Sequence, residues 1–486
     1  MVVGCALGLG CERQLPTYVL DSERAPVGPA CESVSCGPPQ PTGDPFITTQ
    51  QCGTGSRAAT IVWIDRSRPN SEIWTIEEID GSWTEATAQT HPETYLRGSK
   101  LDDETMWSRS QAAVQINGYT FDCALPGPFC YWLPIDERAM TQVYESTHQL
   151  SSNAFASNTP PYPAHLVMFS PVGPKIGVDL LPTTANQASH AYNGVQSLFP
   201  ALSDGETCAK TPAYDLGDTA QSAVGYNDQS VVMAQFTQAT RARVCQVLEC
   251  LNVRGAMMMD GGDSSGISLR TPQVVPIGHT RDRNIAYRIG LVTLGRELIQ
   301  NGGFEAPSLE TYGNGTLGFH SFAGEQVPRK LVWSSGSAWV YNTGLYFERF
   351  KELVPSKQDQ VAAIHPHGAL TEYLSQSIQT PAGRYCMLHF WHGYRKPTGC
   401  HPEQSSLEVT VHENNQDGSP RTRSLYQSPP THQGLHEEWL RFLTTTTLTA
   451  VTFRALDPPG ANAQGNCEVL LDDVSVRCAS EAASTP

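Results

Sequence analysis

The sequence lacks an excess of positive charge. Its 486 residues include 32 Lys and Arg against 48 Asp and Glu, which gives a formal net charge of −16 at pH 7. Nucleic-acid binding requires a basic face, so this balance excludes a typical nucleic-acid-binding protein. Apolar runs of about 20 residues, the length of a transmembrane helix, are also missing from the sequence.

Charged side chains are scarce, at 16% of the chain, whereas Gly and Pro are plentiful at 41 and 35 residues. This composition favours strands and loops over helical bundles. The length of the chain predicts two domains and a tail rather than one domain.

The 14 cysteines contain no Cys-x-x-Cys array of the zinc-binding type. Disulfides are therefore the favoured interpretation, and they imply a secreted, periplasmic or cell-surface location. Several cysteines are close in sequence: Cys31/Cys36, Cys123/Cys130, Cys245/Cys250, Cys386/Cys400 and Cys467/Cys478. The pairing stays open, because Cys245 and Cys250 are expected on different faces of one helix and other partners, such as Cys208, are available.

The first residues, Met1–Cys5, match the small-residue-then-Cys pattern of a bacterial lipoprotein signal. The charged and apolar regions that normally precede such a cysteine are absent, so a truncated start and a chance match are both open. The first interpretation implies lipid-anchored attachment to a membrane surface. Residues 1–57 are rich in Pro, Gly, Cys and Ser and predict a signal remnant and tether.

A first domain is predicted over residues 58–296. Residues 222–236 indicate a hairpin with its turn at Asn227-Asp228, and Thr240–Asn252 has helical apolar spacing that ends by Gly255. The next segment, GAMMMDGGDSSGISL, is an apolar strand that stops at Asp260 and enters a Gly/Ser turn. Such a turn presents an acid to a sugar or a phosphate, with glycines that allow close backbone approach.

Three segments together resemble the motifs of the phosphodiester glycosidase domain family. They are Gln115–Phe121 (QINGYTF), Gln221–Gly225 (QSAVG) and Met259–Ser265 (MDGGDSS). The resemblance spans about residues 58–293, and the family includes the lysosomal enzyme that removes GlcNAc from a GlcNAc-1-phosphodiester. It implies an α+β fold with a mixed sheet and a glycosidase activity that needs no cofactor for catalysis.

Two positions depart from the family pattern. The family arginine is Gln221 here, and the third glycine of the last motif is Asp263. An arginine would suit a phosphate through charge-assisted bonds, whereas glutamine bonds only as a neutral group. These changes favour a glycosidase that acts on a different, uncharged glycoside.

Glycoside hydrolysis uses two carboxyl groups, and Asp260 is the first candidate. Its predicted partner is Glu104, on an expected helix over residues 102–110, with Asp263 and Asp122 as alternatives. Asn117, in a buried strand, binds substrate hydroxyls in one interpretation and braces the backbone in the other. The remaining substrate-binding candidates are Gly118, Gln221, Gly261, Gly262, Asp263, Ser264 and Ser265.

A rival interpretation treats the segment GDSSG, residues 262–266, as the nucleophile elbow of a serine hydrolase. That elbow needs a helix after the serine. Here Ile267 and Leu269 alternate with polar residues before Thr271-Pro272, which favours a hairpin instead.

A second domain is predicted over residues 297–478, with a tail over 479–486. Its ends resemble those of galactose-binding-like modules, which implies an all-β jelly-roll sandwich that binds carbohydrate. Glu305 and Asp472 are candidate ligands of a structural calcium, with ordinary surface acids as the alternative. Candidate sugar-stacking aromatics are Trp333, Trp339, Tyr341, Tyr346, Trp391 and Tyr394.

The sequence thus predicts an extracellular glycoside hydrolase that cleaves a glycosidic bond in a cell-envelope or environmental glycan or glycoconjugate, with a sugar-1-phosphodiester bond left open as the alternative. A non-catalytic glycan-binding or adhesion protein is the main alternative, and Gln221 fits a decayed active site. A serine hydrolase is the third possibility.

Overall fold

A computed structural model gives the architecture of the protein. It describes residues 31, 33–79, 97–99, 103–118, 129–131, 141–142, 164–169, 176–181, 191–197, 200–202, 207–208, 218–270, 274–276, 287–304, 319–321, 333–335, 338–342, 360–364, 373–395, 406–414, 419–427, 436–456 and 468–480.

The described residues form two α-helices, α1 (Asp103–Ser110) and α2 (Arg241–Cys250). The strands before α2 are β1 (Gln40–Pro41), β2 (Ile47–Cys52), β3 (Ala59–Asp65), β4 (Ser71–Ile79), β5 (Arg97–Ser99), β6 (Val114–Asn117), β7 (Phe129–Tyr131), β8 (Thr141–Gln142), β9 (Ala164–Phe169), β10 (Gly177–Leu181), β11 (Ala191–Ser197), β12 (Pro200–Leu202), β13 (Thr219–Tyr226) and β14 (Ser230–Ala239).

The strands after α2 are β15 (Gly255–Met258), β16 (Ile267–Arg270), β17 (Val274–Pro276), β18 (Tyr287–Leu294), β19 (Phe319–Ser321), β20 (Ser334–Ser335), β21 (Ala338–Asn342), β22 (Gln360–Ile364), β23 (Tyr373–Gln379), β24 (Tyr385–Arg395), β25 (Ser406–Asn414), β26 (Pro420–Gln427), β27 (His436–Leu443), β28 (Leu448–Leu456) and β29 (Glu468–Ser480).

The predicted α+β class with a mixed sheet is wrong, because the protein is nearly all β. Both predicted helices exist, but they have only 8 and 10 residues, too little to form a helical layer. Among the described strands, β13 pairs antiparallel with both β14 and β15, and β18 pairs antiparallel with β4 and β6. Antiparallel strands can be joined by short turns and need no helical crossover, which is why so little helix is present.

The first sheet has the order β1-β2-β3-β14-β13-β15-β12. The predicted hairpin is confirmed as β13 and β14, which pair from Thr219↔Ala239 to Tyr226↔Val231. Strands β1 and β2 lie within the stretch predicted as a tether and form the edge of this sheet. Disulfides Cys31–Cys250 and Cys36–Cys52 fasten the same stretch.

Helix α2 begins where Thr240 accepts a hydrogen bond from the Arg243 N–H at 3.3 Å, an N-cap that satisfies one end of the helix. Its buried side includes Val244 and Leu248. The chain leaves the helix before Gly255, which begins β15 instead. A left-handed residue, Asn252 with φ 58°, makes the turn between them.

The disulfide interpretation is confirmed by four bonds among the described cysteines, and such bonds are typical of extracellular proteins. Cys245 and Cys250 share α2 and bond different partners, Cys208 and Cys31. The fourth bond joins Cys386 to Cys478. None of the four joins two cysteines of the same close pair.

A second large sheet crosses the boundary predicted near residue 296. It runs β17-β16-β6-β18 and continues through β29, because Thr293 and Leu294 of β18 pair with Ser480 and Ala479 of β29. Strands β24 and β27 belong to the same sheet. A smaller sheet of β9, β10, β11 and β8 completes the first half.

The second half is a β-sandwich. The five-stranded sheet β20-β23-β28-β25-β26 shares one apolar core with β22, β24, β27 and β29. Phe390 is fully buried there and Trp391 is partly exposed, as strand alternation predicts. His389 and His392 likewise differ, since only His392 is buried.

The two halves pack through the opposite face of β24 and β27. Tyr385 and Met387 belong to the core of the first half, and Trp439 and Leu443 pack against it. Arg441 lies on this face, and burial lowers the pKa of its guanidinium to about 9. None of the described helices is long and apolar enough to cross a membrane.

Candidate functional site

Asp260 lies just beyond the end of β15, which is an interior strand of the first sheet. The four residues of β15 are buried, and Met259 continues the strand by donating its N–H to the Ser222 carbonyl at 2.7 Å. The N–H of Asp260 then turns to the Gly118 carbonyl at 2.9 Å, at the end of β6. Asp260 is partly exposed, so the two sheets hold its backbone while its side chain reaches the surface.

Asn117 braces this position from the other sheet. Its Nδ2 donates to the Asp260 carbonyl at 2.8 Å and to the Gly118 carbonyl at 3.1 Å. Its Oδ1 accepts the N–H of Gly266 at 3.0 Å. Asn117 is 1% exposed, and its amide therefore fixes both ends of the segment between Asp260 and Gly266.

The turn after Asp260 requires its two glycines for different reasons. A Cβ on Gly261 would lie 2.8 Å from the Ala220 carbonyl oxygen and 3.0 Å from Gln221 Oε1. Gly262 has open space but a φ of +62°, a left-handed conformation that glycine adopts at least cost. A single 3₁₀ turn, Gly262–Ser264, follows and closes with the Ser265 N–H on the Gly262 carbonyl at 3.2 Å.

Under the turn lies a cluster of buried hydroxyl and amide groups. Ser222 Oγ and Ser265 Oγ are 2.7 Å apart, and Gln235 Nε2 is 3.5 Å from Ser265 Oγ. Ser222 and Gln235 face each other across the hairpin. The motif at residues 259–265 points to Ser265 but to neither of its partners, although polar residues at opposed positions of an apolar hairpin are a signal that could have found them.

Gln221 occupies the position of the family arginine and is 3% exposed. Its Nε2 donates to Thr219 Oγ1 at 2.9 Å, and its Oε1 points towards Gly261. The residue therefore presents a carbonyl dipole to the Asp260 turn, where an arginine would present a positive charge.

The other predicted site residues lie on α1, in the turn after Asp260, or outside the described residues. Glu104 lies on α1, two turns before β6, and Asp263 lies in the 3₁₀ turn next to Gly262. Ser264 is buried beside Ser265. Asp122 and Glu305 lie outside the described residues. The structure thus brings Asp260, Asn117, Gly118, Gln221 and the turn residues 261–265 together.

Asp472 lies far along the chain in β29 and is 1% exposed. Its Oδ1 accepts the N–H of Asp473 at 2.7 Å. Among the described residues, no three His, Cys, Asp or Glu side chains come together as a metal-binding group. Because Glu305 is not among them, the calcium site stays a prediction.

The serine-hydrolase elbow has the wrong neighbours. After Ser265 the chain enters β16, which pairs with β17 and β6. An elbow needs a helix at this place and an exposed nucleophile, whereas Ser264, the serine at the nucleophile position of the motif, is only 7% exposed.

Comparison with family models gives no match, and no curated protein matches. Solved structures give weak likenesses. The catalytic domain of zebrafish N-acetylglucosamine-1-phosphodiester alpha-N-acetylglucosaminidase, auto-inhibited by its pro-peptide, is 15% identical, with a TM-score of 0.32 over 53% of this chain and 87% of that one.

Two further structures resemble smaller parts. TmCBM61, solved with β-1,4-galactotriose, is 13% identical, with a TM-score of 0.23 over 37% of this chain and 98% of that one. The enzymatically active domain of bacteriophage CBA120 tailspike protein 4 is 12% identical, with a TM-score of 0.23 over 37% of this chain. The match covers only 21% of that solved chain. Scores this low identify no family for the chain, and its function has to be inferred from its own residues.

Proposed function

We propose that the protein hydrolyses a glycosidic bond at the Asp260 turn. The observation that carries the proposal is the way in which the backbone of Asp260 is held by hydrogen bonds. Its side chain is partly exposed, while its N–H and carbonyl are bonded to Gly118 and Asn117 of another sheet. A carboxylate on a fixed backbone is what acid, base or nucleophilic chemistry at an oxocarbenium-like centre requires.

The proposed substrate is a glycan or glycoconjugate rather than a sugar-1-phosphodiester. Gln221 supports this choice, because its buried neutral amide beside Gly261 offers hydrogen bonds but no charge to a phosphate. Glu104 is the proposed second carboxyl group, since α1 directly precedes the strand that bears Asn117. The four disulfides support an extracellular or cell-envelope location, and lipid anchoring stays a prediction.

The test compares the parent with Asp260→Asn on aryl α- and β-glycosides and one GlcNAc-1-phosphodiester. We expect the parent to release product from at least one glycoside and the variant to be slower by about 100-fold or more, as for loss of a general acid or base. The melting temperature should hardly change, because the variant keeps the size of the side chain and the backbone bonds of residue 260 to Gly118 and Asn117.

The matched control is Asp228→Asn. Asp228 is an acid in an exposed hairpin turn, 3.5 Å from Arg254, and should be replaceable without effect on release. Equal rates for Asp260→Asn and the parent would exclude Asp260 from catalysis. A parent that releases nothing from any member would favour the non-catalytic glycan-binding alternative.

A further inference from the structure

A cavity of about 480 Å³ lies where the two halves of the protein meet. Glu72 and Leu294 line it from the first half, and His389, Trp439 and Asp473 line it from the second. Its volume is within the range of small-ligand sites, which often occur at such junctions.

The cavity is separate from the Asp260 turn. Asn117, which braces that turn, pairs with Arg288 of β18. Leu294 lies at the other end of β18, six residues further, which is about 20 Å at the rise of a strand. A ligand in the cavity would therefore not touch Asp260.

One wall of the cavity is aromatic. The rings of His389 and Trp439 lie 4.0 Å apart at an interplanar angle of 32°, on directly paired positions of β24 and β27. Both residues are partly exposed, and Met387 lies beside them in the cavity wall. A partly exposed indole is a platform for the apolar face of a sugar ring.

A second wall is charged and firmly held. Glu297 accepts the N–H groups of Ile299 and Val476, each at 2.8 Å, and lies 3.6 Å from Arg477 Nε. Its charge is thereby compensated by the backbone and by the guanidinium. Arg477 is 43% exposed, and a guanidinium has five N–H donors, more than this ion pair uses.

Asp473 projects from an irregular point in β29. Its φ is 48°, and the pairing of β24 with β29 shifts register at the same level, between His389 and Trp391. A left-handed non-glycine residue costs energy, and such residues concentrate at functional sites. The irregularity places consecutive acids in different surroundings, because Asp472 is buried while Asp473 lines the cavity.

We propose that this cavity binds a neutral saccharide, independently of hydrolysis at Asp260. The ring stacks on Trp439, and its hydroxyls donate to Asp473 and accept from Arg477. Hydroxyl groups need both donors and acceptors. An anionic ligand would be opposed by Glu72 and Asp473, because the charge of Arg477 is compensated by Glu297. A cationic ligand is the competing occupant, which the titration distinguishes from a saccharide.

The test is calorimetric titration in the Asp260→Asn background, so that no probe is consumed. The probes are β-1,4-galactotriose, xylohexaose and tetramethylammonium. We expect at least one saccharide to bind, and Asp473→Asn and Trp439→Phe each to weaken its binding about tenfold, as expected for a lost charged hydrogen bond or a reduced stacking surface. Raising the salt concentration should change little, because the ligand is neutral.

Asp473→Asn retains a residue that tolerates a left-handed backbone, and an unchanged melting temperature will show that it folds. Asp228→Asn, an acid outside the cavity, should bind like the parent. The proposal is overturned if neither saccharide binds, if the folded cavity variants bind as tightly as the parent, or if tetramethylammonium binds in their place. Since hydrolysis is measured separately in the protein with Asp260 intact, either proposal can fail alone.

Discussion

Asp260 and Asp473 both stand where a buried strand is interrupted, but different parts of the chain hold them. Asp260 depends on Asn117 and Gly118, more than 140 residues earlier and in another sheet. Asp473 is held within its own strand, by its N–H bond to Asp472 and by a left-handed backbone.

The same type of side chain is therefore held in two different ways. Around Asp260 the backbone is satisfied by a side chain from a distant element, so its position requires the assembled pair of sheets. Asp473 is held by its own left-handed backbone, which is an unfavourable local conformation, and the neighbouring strands only surround it. Replacing Asn117 should therefore lower the free energy of unfolding more than replacing Asp473.

The largest effect is expected from Asn117→Ala. The substitution leaves the Asp260 carbonyl and the Gly266 N–H without their buried partner, at a cost of about 3 kcal/mol in the free energy of unfolding. Denaturant unfolding measures this loss, and glycoside release should fall together with it because Asp260 is no longer held.

Asn227→Ala is the matched control for Asn117→Ala. Asn227 Oδ1 also accepts two backbone N–H groups, from Gln229 and Ser230, but in the solvent-accessible turn of the hairpin. Water can replace those bonds, so we expect a loss of about 1 kcal/mol. If both variants lost the same free energy of unfolding, the buried hydrogen bonds of Asn117 would stabilise the protein no more than the solvent-accessible bonds of Asn227.

A smaller effect, about 2 kcal/mol, is expected from Gly261→Ala, because the new Cβ would meet the Ala220 carbonyl oxygen at 2.8 Å. Gly262→Ala meets no atom within 4 Å but must adopt a φ of +62°, at a cost of about 1 kcal/mol. Thermal unfolding distinguishes the two. The reverse order of stability would mean that the backbone at residue 261 can move aside.

The smallest effect is expected at Asp473. Asp473→Ala should destabilise by about 1 kcal/mol relative to Asp473→Asn, because asparagine tolerates the left-handed conformation and alanine does not. The difference between the unfolding midpoints of the two variants measures the cost of the left-handed backbone conformation at residue 473. If alanine were as stable as asparagine, Asp473 would not be held by local strain, and the contrast with Asp260 would disappear.

Much of the surroundings of Asp260 could be predicted from the sequence, because they are local. The hairpin of β13 and β14, the short helix α2 and the apolar strand ending at Met259 each have a periodicity of their own. The hairpin after Ser265 also follows from alternation. These elements place the acid at a strand end without knowledge of any distant contact.

The pairing of distant strands could not be predicted in the same way. Alternation shows that β29 is a strand, but it does not say that Ala479 pairs with Leu294 or that a register shift occurs near Asp473. The opposed polar residues of the β13–β14 hairpin could have indicated Ser222 and Gln235, but not that Ser265 contacts them. The predicted α+β class failed because it came from a family resemblance, whereas the two short helices leave an antiparallel β architecture.

The pairing of β18 with β29 has a consequence for how the protein is made. Ribosomes add about 5 to 20 residues per second, and the last residues of β29 follow β18 by about 190 residues. The emerging first half would therefore wait roughly 10 to 40 s with Thr293 and Leu294, the last two residues of β18, lacking their partners in β29. During that interval the end of β18 is a short unpaired stretch of strand, where a chaperone or another nascent chain could dock.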